Sequence, residues 1–209
     1  MSVPIPLLEV RRLACRRGEV TLFEELAFTL DRGEVLQIEG ANGSGKTSLL
    51  RILAGLTPAD EGTVLWQGWD IRERRSEFHG QLAYLGHHLG LKHELTVVEN
   101  LRAAAGIQGM GGAVSRLPGV LDKVRLDHRA DLPVRALSAG QRQRVVLARL
   151  LLLGTVLWIL DEPFTALDAA GVDLVRSLVE EHLEEGGVVI LTSHQAVPLG
   201  QRLRKLALS

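Results

Sequence analysis

Gly40-Ala41-Asn42-Gly43-Ser44-Gly45-Lys46-Thr47 lies between an aliphatic stretch, Val35-Leu36-Gln37-Ile38, and a segment whose Leu49, Leu50, Ile52 and Leu53 share one helical face. Strand, glycine-rich loop, helix is the context that G-x-x-x-x-G-K-[ST] needs to cradle phosphate. The glycines let the backbone curl so that successive N–H groups converge, and the following helix adds its positive end. Lys46 is then placed for the β- and γ-phosphates and Thr47 for Mg²⁺, with Ser48 beside them.

Upstream of this loop, Leu7 to Leu13 and Val20 to Leu30 read as strands closed by the Asp31-Arg32-Gly33 turn, an antiparallel start. Downstream come short strands at Thr63 to Trp66 and Leu82 to Leu85, separated by a charged, solvated run from Asp70 to Glu77. From His88 to Leu153 the pattern turns helical. Thr96 opens one helix, Gly109 to Gly112 break it, and another follows near Ser115 to Val124. A buried strand at Val156 to Leu160, a helix from Ala169 to Glu184, a strand at Val188 to Thr192 and a last strand near Leu206 complete the chain. Strands alternating with helices predict an α/β fold. The expectation is a P-loop NTPase core with a mainly parallel sheet, an N-terminal antiparallel β subdomain and an α-helical insert subdomain.

At 209 residues the chain has room for one substantial domain. The division expected is a core of residues 1–87 and 154–209 carrying a helical subdomain at 88–153. With 46% hydrophobic and 23% charged residues it can bury a core, and 24 Lys and Arg against 25 Asp and Glu leave a net charge of −1. No large field recruits nucleic acid or anionic lipid, so no nucleic-acid partner is expected. The single cysteine, Cys15, excludes an intramolecular disulfide and a multi-thiolate metal site. The longest apolar run, Leu150 to Leu160, falls short of the roughly 20 residues of a membrane span. The first ten residues carry no export signal, which predicts a cytosolic location.

A phosphate loop needs a carboxylate at the end of a neighbouring buried strand. Val156-Leu157-Trp158-Ile159-Leu160-Asp161-Glu162 supplies it: Asp161 as metal partner, and Glu162 to polarise a water for attack on the γ-phosphate. Two acids capping a strand also describe a solvated strand end, a reading that the P-loop disfavours. Leu137-Ser138-Ala139-Gly140-Gln141 forms a capping box, and the same helix start exposes N–H donors for a second anion. Thr192-Ser193-His194 ends an apolar strand, where His194 reads either as an exposed histidine or as a site residue.

The order of these motifs resembles the ATP-binding subunit of ABC transporters along essentially the whole chain. The resemblance implies that two copies sandwich two ATP molecules. Ser138, Ala139, Gly140 and Gln141 of one copy would face the P-loop of the other, with Asp168 at the seam and His194 sensing the γ-phosphate. Three positions depart from the family pattern. His87 stands where a glutamine usually touches a water or Mg²⁺ ligand, Ala139 replaces a glycine, and Arg17 stands where an aromatic usually stacks on adenine. A guanidinium plane can stack there instead.

Tyr84-Leu85-Gly86-His87, Val64-Leu65-Trp66-Gln67-Gly68 and the run from Trp158 to Asp168 look like the ATPase of the bacterial cytochrome c maturation system, the haem exporter. That resemblance implies ATP and Mg²⁺, a homodimer on ATP binding, an integral membrane permease partner, a place on the cytoplasmic face of the inner membrane, and haem handling. An ABC ATPase serving another substrate, or a soluble one outside transport, is the alternative. His87, His88 and His93 are expected to serve ATP sensing or structure rather than to ligate haem.

Overall fold

The computed structural model describes residues 5–109, 111–165, 167–193, 197, 199 and 203–208. The chain opens with two long strands, β1 (Leu8–Arg17) and β2 (Val20–Leu30), paired antiparallel. β4 (Glu61–Trp66) joins the other edge of β1, and β5 (Trp69–Asp70) closes this first sheet in the order β2-β1-β4-β5. The expected strand at Leu7 to Leu13 thus runs on to Arg17. Register shifts along β1 keep it paired on both sides although Arg12 takes a positive φ of 45°.

The second sheet holds β3 (Val35–Glu39), β6 (Leu82–Leu85), β7 (Leu157–Leu160), β8 (Val188–Thr192) and β9 (Leu203–Ala207). Its order is β6-β7-β8-β3-β9, and every pair is parallel. All residues of β7 and β8 are buried, as expected for strands covered on both faces. The period of two divides them. Leu157, Ile159, Val188 and Ile190 point into a core shared with α1 (Lys46–Leu53) and the antiparallel sheet. Trp158, Leu160, Val189 and Leu191 point into a core shared with α5 (Ala139–Leu153) and α6 (Ala169–Glu184).

The charged run after β5 remains exposed from Arg72 to Glu77, but α2 (Arg75–His79) turns Phe78 inward, where its ring meets Trp66 edge-on at 5.8 Å. Between β6 and β7 the chain is helical. Thr96 caps α3 (Val97–Ile107) with Glu99 in a capping box, α3 ends before the glycines, and a 3₁₀ segment leads into α4 (Leu117–Lys123). Asn100, buried in α3, accepts from Lys92 N and donates to the carbonyls of Lys92, Leu95 and Thr96. Arg149 of α5 donates to Leu89 O at 3.2 Å. The loop that carries His87 is therefore tied to both long helices of this region. Among the described residues no helix is long and apolar enough to cross a membrane.

Candidate nucleotide-binding and hydrolytic site

The parallel strands β3, β7 and β8 end at one edge of their sheet, and the loops that leave them converge there. β3 passes into the Gly40–Thr47 loop, which enters α1 through Gly45 at φ 95°. A side chain there is disfavoured twice, by the positive φ and because its Cβ would crowd Leu22 Cβ at 3.0 Å. No side chain caps α1, so the N–H groups of its first turn keep their donors for an anion. Lys46 Nζ donates to Gly40 O at 2.7 Å and Ala41 O at 3.0 Å, which holds its ammonium across the loop.

β7 delivers Asp161 and Glu162 opposite. Asp161 N donates to Leu85 O at 2.7 Å, continuing the ladder with β6 one residue beyond the strand. Thr47 Oγ1 donates to Asp161 Oδ2 at 3.0 Å, so the motif hydroxyl and the strand-end carboxylate meet directly. Thr192 Oγ1 donates to the other oxygen, Oδ1, at 2.7 Å and accepts from Glu162 N at 2.9 Å. Tyr84 of β6 is half-buried nearby. Burial, then the negative field of Asp161, pushes its phenol above the ordinary range, so it keeps its proton at neutral pH.

A hydroxyl and a carboxylate oxygen are the hard donors that suit Mg²⁺, an ion usually held by one or two protein oxygens with phosphate and water completing its shell. Thr47 and Asp161 fit that requirement. Among the described residues no group of three or more acids, histidines or cysteines forms a cage of its own.

These residues line a cleft of about 880 Å³, large enough for a nucleotide. Asn42, Gly43, Gly45, Lys46, Thr47, Ser48, Asp161 and Glu162 form its phosphate end, and Arg17, Val20 and Leu22 line it from the antiparallel sheet. His87 lies on its wall, exposed, with its ring 5.5 Å from that of His88. Ala139 borders the same cleft from the start of α5. Ser138 is exposed and spends its side chain on the cap, accepting from Gln141 N at 3.2 Å while Gln141 Oε1 accepts from Ser138 N at 3.0 Å. Gly140 follows in the first turn. Asp168 is the exposed N-cap of α6, accepting from Gly171 N at 2.8 Å. His194 lies outside the described residues.

Two contributors were not singled out from sequence. Thr192 meets both Asp161 and the Glu162 amide, and its sequence signal is a threonine closing the aliphatic Val188-Val189-Ile190-Leu191 run. Gln143, buried in α5, donates to Pro163 O at 3.1 Å and ties the helix that begins at Ser138 to the loop after Glu162. Nothing in its spacing announces that contact.

A P-loop facing a strand-end acid pair on a parallel sheet, with a capped second helix start on the same cleft, defines an ATPase of the ABC type. The chain belongs to the ABC transporter family, whose model matches residues 23–165. It is 50% identical over 197 residues to the cytochrome c biogenesis ATP-binding export protein CcmA of Methylococcus capsulatus, covering 94% of this chain and 95% of that protein. With the protein of the same name from Nitrosospira multiformis it shares 46% identity over 98% of this chain and 100% of that one. A solved ATP-binding subunit of an ABC transporter superposes with a TM-score of 0.82 at 30% identity, covering 90% of this chain and 79% of that one.

Proposed function

We propose that this chain is the ATP-hydrolysing subunit of an export complex in cytochrome c biogenesis, driving an integral membrane partner from the cytoplasmic face of the membrane. The Thr47–Asp161 hydrogen bond of 3.0 Å, which joins the two halves of a phosphate and metal site beside Lys46, carries the ATP-hydrolysing part of the reading, and the 46–50% identity to cytochrome c biogenesis export proteins supports the rest. In this reading the N–H groups of the Gly40–Thr47 loop hold the phosphates and Lys46 turns from its loop carbonyls to the β- and γ-oxygens. Thr47 and Asp161 would hold Mg²⁺, and His87, on the cleft wall, would approach a water there. Mg²⁺, when bound, neutralises charge on the β- and γ-phosphate oxygens. Glu162 takes the proton of the attacking water, His194 contacts the γ-phosphate, and Arg17 stacks on the base.

Two copies complete each other. Ser138, Ala139, Gly140 and Gln141 of one approach the γ-phosphate bound by the other, and Asp168 lies at the seam. The exposed start of α5, whose N–H donors are only partly used by its own cap, supports this arrangement. Closing and reopening the pair moves the helical region, residues 88–153, against the core of residues 1–87 and 154–209. That motion passes to the membrane partner, and through it to haem handling for cytochrome c maturation. Recovery of the full chain from detergent-solubilised membranes together with an integral membrane protein, and phosphate release from ATP without an acceptor substrate, are the expected results. Recovery with ribosomes instead, or no turnover, would overturn the assignment.

A further inference from the structure

We propose that Thr192 is a positioning residue for hydrolysis: its hydroxyl sets the backbone of Glu162 and one oxygen of Asp161, so that two adjacent acids serve two separate tasks. The inference deepens the ATPase reading and rests on it. Thr192 is fully buried at the end of β8, the strand that lies between β7 and β3. It pairs with Ile38 on one side and follows Leu191, the partner of Leu160, on the other. It therefore sits between the exit to the P-loop and the exit to the acid pair.

Glu162 has a φ of 54°, a left-handed backbone that L residues other than glycine, asparagine and aspartate seldom adopt. That turn ends the strand's alternation at Asp161, so the position of Glu162 is set by the turn and not by the pleat of β7. Thr192 Oγ1 holds the turn by accepting Glu162 N–H at 2.9 Å. The same oxygen donates its one proton to Asp161 Oδ1 at 2.7 Å, while Thr47 uses Oδ2. Valine would fill the same space and perform neither bond.

The test compares Thr192→Val with Thr192→Ser in the full chain. Valine should lower kcat about 10- to 100-fold, the range for a misplaced catalytic group, and leave the affinity for a fluorescent ATP analogue in EDTA within about threefold, since the phosphate cradle is intact. Serine should restore most of the turnover. Amide hydrogen exchange provides a readout independent of activity. The Glu162 amide should exchange faster in Thr192→Val but not in Thr192→Ser, whereas the Asp161 amide, bonded to Leu85 O, should not change. Wild-type turnover or an unchanged Glu162 amide in the valine variant would overturn the proposal, as would equal defects with valine and serine. If valine prevents folding, the serine variant alone decides through its exchange at Glu162. A wild-type chain that does not hydrolyse ATP removes the ATPase reading instead, and the exchange result still stands.

Discussion

At the carboxyl ends of β7 and β8 the polar groups form a chain that opens onto the 880 Å³ cleft, from Thr192 through Asp161 to Thr47. At the amino ends of the same two strands the polar groups fold back on the protein. His182 of α6 lies flat on Trp158, ring centroids 3.9 Å apart and planes within 5°, and its Nε2 meets Val156 O at 3.1 Å, which requires the proton on that nitrogen. Burial pushes the imidazole below its ordinary value of 6.5 despite its backbone partners. One end links hydroxyls and a carboxylate into a chain that reaches the cleft through Thr47 and Asp161; the other uses a neutral ring to satisfy the Val156 carbonyl. The difference is one of direction: at their carboxyl ends the strands lead into the Gly40–Thr47 loop and the start of α1, whose uncapped N–H groups suit an anion, while at their amino ends the buried His182 ring is spent on Trp158 and Val156 O.

The largest expected effect that would break this contrast is Glu162→Gln. Its turnover should fall by about 100-fold or more, the worth of a general base, while ATP still binds and dimers accumulate on size-exclusion chromatography. Wild-type phosphate release would remove Glu162 from its role. Next, Lys46→Ala should weaken nucleotide binding by about 10- to 100-fold, the worth of a charge-assisted contact, read by fluorescent-nucleotide titration. Unchanged affinity would take Lys46 out of the site.

At the other end, Gly187→Ala should destabilise the fold by about 1–3 kcal/mol through overpacking with little change in kcat. The new Cβ would lie 2.2 Å from His182 Nε2, and a ring pinned on Trp158 cannot swing away cheaply. Thermal melting and turnover, measured together, check it. The smallest effect is a pH slope. The unfolded chain takes up a proton on His182 near pH 6.5 and the folded chain only lower, so this contribution is complete above 6.5 and is lost as pH falls toward the depressed folded value. The slope cannot exceed about 1.4 kcal/mol per pH unit for one proton. His182→Phe should flatten the fall in melting temperature between pH 7 and 5.5. An unchanged slope would remove His182 as its cause.

Much of this was legible from local pattern. The ranges of β2, β6, α6 and β8 match those expected, and Ser138 and Thr96 cap the helices they were expected to open. Those elements carry their signals within a few residues: period, caps and aliphatic runs. Boundaries slipped where pairing, not pattern, extends a strand, as in β1, which continues to Arg17 because β2 pairs with it through Cys15, Arg16 and Arg17. Thr192, Gln143 and Asn100 were missed as site or loop supports because each acts on a group distant in sequence or on backbone carbonyls, and neither kind of partner marks its own position.

By itself, the order of residues determined the phosphate loop, the acid pair and the alternation of strands and helices, because each depends on neighbours within one turn or one strand. Tertiary structure alone decided that Asp161 meets Thr47 across 114 positions and that one threonine hydroxyl serves two acids. It also decided that His182 lies against Trp158 rather than water. These contacts join strands and helices far apart in the chain, and only the order of strands in the parallel sheet brings their ends together.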